Sequence, residues 1–220
     1  MGEGTALGVR LAGALARRGL DQFAAAARLD SEVSRRIGLA AIELVGRWGV
    51  RKTTIADIAQ RAGCSRATVY RVFPDGKRQV LLAAGAARLE EFLADMAAVA
   101  DRAASGEDVL VGLLSTAARE LADDAAFQFL LHHEHDVLLP FLGFAEQGRL
   151  FGLVRTVIGP HLEPHLGEQA GWTAEWCARI LLSYLFNPSD ELDLTRPANA
   201  RLLVRRFLLP ALAPRVPVPA

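Results

Sequence analysis

The chain has 220 residues, 51% of them hydrophobic and 23% charged, with Lys and Arg balanced by Asp and Glu to a formal net charge of zero. That composition excludes global disorder and supports a packed core, and the length suits one large domain or a small domain joined to a larger one. The two cysteines, Cys64 and Cys177, stand far apart in no zinc or redox spacing, so a reducing cytoplasm is the simpler reading. The apolar N-terminal stretch is interrupted by Arg10, Arg17 and Arg18. It is too polar for a membrane span and lacks the basic start of a secretory signal.

Zero net charge argues against a nucleic-acid partner until the charges are placed along the chain. Residues 31–80 hold ten Lys or Arg against four Asp or Glu, a surplus of +6, while residues 1–30 carry +1 and residues 81–220 carry −7. A basic module on an acidic body is the asymmetry expected when one end of a protein meets phosphate.

In chain order, residues 1–30 read as an extension rich in Ala and Leu. An extra helix, a basic arm reaching the minor groove and a start-site artefact are all open for it. Helical spacing of Ile37, Ala40, Ala41, Leu44, Val45 and Trp48 then predicts a helix from Ser31 to Trp48, ended by Gly49. Thr53 or Thr54 caps the next helix, with a stripe of Ile55, Ile58, Ala59 and Ala62. Gly63 supplies a turn, and Ser65 caps a short helix that faces Val69, Val72 and Phe73 inward. Pro74, Asp75 and Gly76 break the chain before a long helix over about 77–104. Further helices are predicted at about 107–122, 124–138, 142–159, 173–186 and 198–209, and no sustained alternation signals a strand. Pro160 and Pro164 argue against a regular helix around His161 and His165. The fold expected is all-α.

The segment from Thr53 to Phe73 thus reads as two short helices joined by a glycine turn, the second placed to enter a major groove. With Val69, Val72 and Phe73 inward, Ala67 and Arg71 point outermost, and Arg66 stands at the helix start. Arg66 and Arg71 are candidates for reading base edges, because guanidinium pairs bidentately with guanine. Thr53, Thr54, Thr68, Tyr70 and Lys77 suit phosphates, which fix register without reading sequence. Arg35, Arg36, Arg51 and Lys52 read as plain surface charges.

This stretch resembles the DNA-binding module of the TetR family of bacterial regulators. The matching pattern falls on Thr54, Ile58 and Ala59, Ala62 and Gly63, Ser65, Thr68, Val69, Tyr70, Phe73 and Lys77. The chain departs from it in having Ala67 where Gly is frequent and Val72 where His or Tyr is frequent. Three residues rather than two also separate Phe73 from Lys77. The resemblance implies an N-terminal three-helix DNA-binding domain over 31–80, with Thr53, Thr54, Ser65, Arg66, Ala67, Thr68, Tyr70, Arg71 and Lys77 at the duplex. It implies a larger helical domain over 81–220 that binds a small-molecule effector and forms a homodimer. Two recognition helices about one turn of duplex apart, roughly 34 Å, would then read a palindromic operator.

In that family the last two helices commonly pack against their mates. Here they carry Trp172, Trp176, Ile180, Leu181, Tyr184 and Leu185, then Leu202, Leu203, Val204, Phe207 and Leu208, too apolar a set to stand in water. An effector pocket among residues 88–160 would be lined by Phe92, Met96, Phe127, Leu131, Phe141, Phe144, Phe151 and Val154, which suits an apolar or amphipathic ligand; each of these positions also fits plain core. The run His132, His133, Glu134, His135, Asp136 is the most unusual in the chain. Its favoured reading is a solvated helix end, with His132 as a polar pocket rim and a metal-responsive regulator as alternatives. No GxSxG, HExxH or phosphate-cradling glycine loop occurs, so neither an enzyme nor a cofactor is expected. The reading as a whole is a ligand-released repressor.

Overall fold

The computed structural model describes Leu29, residues 31–142 and residues 147–212, side chains excepted at 139–147 and 149. Residues 1–28 and 30 of the expected extension, Phe144, and the side chain of Phe141 lie outside the described residues. No strand occurs among the described residues, and the fold is all-α, an N-terminal helix-turn-helix followed by a larger helical part. The helices are α1 (Glu32–Lys52), α2 (Ile55–Arg61), α3 (Arg66–Val72), α4 (Lys77–Asp101), α5 (Gly106–Asp123), α6 (Ala125–His133), α7 (His135–Leu142), α8 (Gln147–Val157) and α9 (Gly159–Leu166). After a 3₁₀ turn come α10 (Ala170–Phe186) and α11 (Pro197–Leu203), which runs through a π turn (Val204–Leu208) into α12 (Leu209–Leu212). None of these helices is long and apolar enough to cross a membrane.

The described residues group into two compact units, one of residues up to Asp95 with Glu120–Leu153, the other of Met96–Arg119 with residues from Val154 onward. In the first unit the caps are local and reciprocal. Ser31 Oγ accepts from Ser34 N at 3.1 Å while Ser34 Oγ accepts from Ser31 N at 3.0 Å, which starts α1. Thr54 Oγ1 accepts from Asp57 N at 3.2 Å while the Asp57 carboxylate accepts from Thr54 N at 3.0 Å, which starts α2. Each such box satisfies two of the donors that a helix start leaves unpaired. Inside, Ile37, Ala41, Ile58, Val69, Val80 and Ala83 are fully buried in one cluster, each large side chain contributing about 1.5–3 kcal/mol of burial. Helix α6 packs on α1. Gly46 allows it, because a Cβ there would lie 3.1 Å from both Ala125 Cβ and Ala126 N.

The second unit buries Val109, Leu110 and Leu114 of α5, Val157, Leu162, Ala174 and Cys177, and Leu203 and Val204 of the last helix. Burial pushes the Cys177 thiol up to about 12, so it stays protonated and behaves as a small hydrophobe. Arg201 and Arg205 of the C-terminal helix both donate to Glu107 in the first turn of α5. Those hydrogen bonds, Arg205's first and Arg201's next, hold the Glu107 carboxyl below the usual carboxylate range.

The structure departs from the sequence expectations at four places. Helix α1 continues past Gly49 to Lys52, although Gly49 itself is non-helical (φ 81°, ψ 171°). The helix expected over 124–138 is broken at Glu134, which caps α6 before α7 begins. Gly159–Leu166 is a helix despite its prolines: Pro160 sits in the first turn, where a missing N–H removes no intrahelical bond, and Pro164 lies inside the helix. The final helix is interrupted by the π turn.

Candidate nucleic-acid interface

The second helix of the helix-turn-helix is positioned from both of its ends. Ser65 Oγ accepts from Thr68 N at 3.0 Å, fixing its start, and Gly63 (φ 65°) makes the turn that Cβ-bearing residues adopt rarely. Val69 and Phe73 are buried and Val72 is half-buried, so the inward face is the one that periodicity predicts. Outward stand Arg66, Ala67 and Arg71, all exposed, with Tyr70 at 52% exposure on the flank. Neither Arg66 nor Arg71 is tied to an acceptor among the described residues. Two free guanidinium groups thus border a small alanine, which leaves room for close approach.

Most of the other cations of the basic segment are already engaged. Arg36 donates to the carbonyls of Ala62 and Gly63 and so braces the glycine turn. Arg61 and Arg47 share Glu43, whose carboxyl is held below the usual range, chiefly by the Arg61 hydrogen bond. Arg35 pairs with Glu32, and Arg51 pairs with Asp136 at 2.7 Å. Arg36 is therefore structural, beyond the surface role read from the sequence, while Arg35 and Arg51 stay surface charges in exposed pairs. The clustered charge of the segment reduces at its working face to a few unpaired groups.

An open cleft of about 440 Å³ lies beside the recognition helix, lined by Thr53, Thr54, Ile55, Ala56, Arg66, Tyr70 and Lys77. Five of the nine candidate duplex residues thus line one concavity. Their side chains do not all serve it as expected. Thr53 is fully buried, and its hydroxyl donates to the Gly49 carbonyl at 2.7 Å, so that hydroxyl is turned away from any phosphate. Lys77 Nζ donates to the carbonyls of Val50 and Thr53, both at 3.0 Å; two of its three donors hold the end of α1, though its charge still borders the cleft. Thr54 is exposed, with its hydroxyl donating to the Asp57 carboxylate at 2.6 Å. Thr68 is half-buried, its hydroxyl 3.0 Å from that of Ser65.

In the unusual acid and histidine run, His132, His133, His135 and Asp136 are exposed at a helix junction as a solvated helix end requires, and Glu134 alone departs from that reading. Glu134 is only 6% exposed, and its carboxylate accepts from Val50 N at 2.8 Å and Arg51 N at 3.2 Å. His132 is exposed and meets Gln128 at 3.2 Å; His133 stacks on Phe129 with ring centroids 4.6 Å apart. Among the described residues no three His, Cys, Asp or Glu converge to hold a metal ion. Of the pocket candidates, Phe151 and Met96 are buried, and Phe92, Phe127, Leu131 and Val154 are half-buried. Phe92, Phe127, Leu131, His132 and Phe151 belong to the first unit, and Met96 and Val154 to the second.

The last helices of the second unit carry a different surface. Trp172, Trp176 and Phe186 of α10, with Leu202 and Phe207 of the final helix, are each between 49% and 61% exposed. On α10 these positions follow i, i+4, i+14 and fall on one stripe. Leu202 and Phe207 are five apart, which in a regular helix places them about 140° apart. The intervening π turn, with its i→i+5 bonding, brings them toward one face.

Residues 37–84 match the family model described as bacterial regulatory proteins, tetR family. Two uncharacterized HTH-type transcriptional regulators of Mycobacterium tuberculosis, from strains CDC 1551 and H37Rv, are each 33% identical to this chain over 104 residues, 47% of its length. The chain spans about half the length of these curated relatives, 52% in each case. The crystal structure of the TetR family repressor AlkX from Dietzia sp. strain DQ12-45-1b, implicated in biodegradation of n-alkanes, shares the fold at a TM-score of 0.55 and 20% identity. The likeness covers 83% of this chain and 96% of that one. The fatty acid degradation regulator FadR from Bacillus halodurans shares it at a TM-score of 0.58 and 16% identity, over 83% and 99%. A helix-turn-helix with its caps, turn and inward face in place lies within the matched residues, so this part of the chain is similar to the tetR family of bacterial regulatory proteins in both sequence and structure.

Proposed function

We propose that this regulator is a homodimer that binds a palindromic operator in double-stranded DNA and acts as a cytoplasmic repressor released by an apolar or amphipathic small molecule. Residues 31–80 form the DNA-binding part and residues 81–220 the effector-binding and dimerising part, with no enzymatic step involved. The observation that carries the reading is α3, with Arg66 and Arg71 exposed and untied on either side of Ala67 while Val69 and Phe73 anchor the opposite face. Arg66 and Arg71 read base edges; Ser65, Thr68 and Tyr70 hold phosphates beside them. Thr54 and Lys77 add their backbone start and charge from the cleft. The stripe of Trp172, Trp176 and Phe186, together with Leu202 and Phe207, is the surface that a second copy covers.

An apolar effector is supported by the composition of the candidate lining. It is supported too by the two structural neighbours, one implicated in n-alkane biodegradation and one regulating fatty acid degradation. Such a ligand weakens DNA binding only through its differential affinity for the dimer state that fits DNA poorly.

Variant binding tests the assignment of roles. Arg71→Ala should reduce binding to the specific sequence by about 1–3 kcal/mol and leave binding to random DNA little changed. Tyr70→Phe should weaken both alike. An equal loss on both DNAs for the Arg71 variant contradicts base reading by that residue.

A further inference from the structure

The turn that joins α1 to the helix-turn-helix is held from two sides by opposite charges. At Gly49 the backbone takes φ 81° and ψ 171°, which takes the N–H groups of Val50 and Arg51 out of the helical ladder. Both are received by the carboxylate of Glu134, at 2.8 and 3.2 Å, from the junction between α6 and α7. Two residues further on, Asp136 takes the Arg51 guanidinium at 2.7 Å. From the other side the Lys77 ammonium, at the start of α4, donates to the carbonyls of Val50 and Thr53. Thr53 closes the segment with its own hydroxyl on Gly49, and Thr54 at once begins α2.

Glycine is required at the centre of this clamp. A Cβ at position 49 would stand 2.5 Å from both Glu134 Oε1 and Phe129 Cε1. Glu134 is itself held in place, since its backbone N–H donates to Leu130 O at 3.1 Å and ends α6. A buried carboxylate is stable only where donors replace its water, and here two backbone donors lying 84 and 83 positions earlier in the chain do so. The direction in which the chain enters α2 and α3 is therefore set by where the α6–α7 junction stands.

We propose that Glu134 is a positioning residue for the DNA-reading helices, and that through it the α6–α7 junction and the helix-turn-helix share one equilibrium. A change that moves the junction shifts DNA affinity, and DNA binding reciprocally stabilises the junction. The proposal rests on the reading of the module as DNA-binding.

Hydrogen exchange of the full-length protein tests it, with and without an excess of duplex from its own upstream region at low salt. In the wild type, DNA slows exchange in residues 66–73 and also in residues 128–138. In Glu134→Ala without DNA, the Val50 and Arg51 amides exchange about tenfold faster or more, because a buried donor has lost its acceptor. With DNA, that variant protects 66–73 but no longer 128–138. Glu134→Gln, which keeps an acceptor oxygen, restores part of the coupling and serves as the measurement if the alanine variant fails to fold. Protection of 128–138 that is absent in the wild type, or that persists unchanged in both variants, overturns the proposal while leaving DNA binding intact. No protection of 66–73 in the wild type instead overturns the DNA-binding reading, and the proposal with it.

Discussion

The DNA-binding module and the last two long helices place their large apolar side chains in opposite ways. Ile37, Ile58, Val69 and Val80 close a core within one chain. The large apolar groups left outside in that region, Leu39 and Trp48 on α1 and Tyr70 on α3, do not form a stripe. Leu39 and Trp48 are nine positions apart on one helix and so lie on opposite sides of it. By contrast, Trp172, Trp176 and Phe186 fall on one stripe of α10 and stay exposed, as do Leu202 and Phe207 on the final helix. One region is finished in a single copy. The other leaves large apolar side chains in water, and these are the groups that the proposed second copy would cover.

The contrast can be broken at either end. Ile58→Ala, at a fully buried position of the module, should lower stability by about 2–5 kcal/mol in denaturant unfolding. The dimer should persist until the whole chain unfolds. Trp176→Glu should do the reverse, shifting sedimentation toward monomer by about 2 kcal/mol or more of association energy while the melting of the isolated fold changes less. A dimer untouched by Trp176→Glu would remove the aligned stripe from the interface.

The smallest effect concerns acid. Because the Glu107 carboxyl is held below its ordinary range by Arg205 and Arg201, its pairing stabilises the fold above the unfolded value, about 4.3, and is lost as pH falls through the lower folded value. Melting temperatures of Glu107→Gln and wild type should therefore differ at neutral pH and converge in the acid range below the usual glutamate value. A gap that does not change with pH would mean that the anchoring of the last helix on α5 does not depend on this charge.

How much of this was legible in the sequence depended on the range of the interactions involved. The cap at Ser65 and the inward set of Val69 and Phe73 are set within four residues, and spacing alone showed them. The choice of Thr54 over Thr53 as cap was not readable, since Thr53 is buried by the turn at Gly49. Lys77 reads as a phosphate contact from its charge and its place in the family pattern. Its two carbonyl partners lie 27 and 24 positions away and carry no side-chain signal. Glu134 was hidden for the same reason, a backbone partner distant in sequence, so a run that looked solvated proved to hold a buried acid. The π turn was missed because helical spacing assumes an unbroken helix, and Leu202 and Phe207 fall out of phase under that assumption. Phe141 and Phe144 of the expected pocket lie outside the described side chains.

The most direct measurement is binding of the purified protein to its own upstream DNA and to random DNA across a salt series. The account predicts tight, selective binding to the upstream fragment with two subunits per site. It also predicts a steep fall of affinity with salt, as phosphate contacts release counterions. Weak binding that is equal on both DNAs would contradict it, leaving a helix-turn-helix that is correct as structure and does not read this sequence.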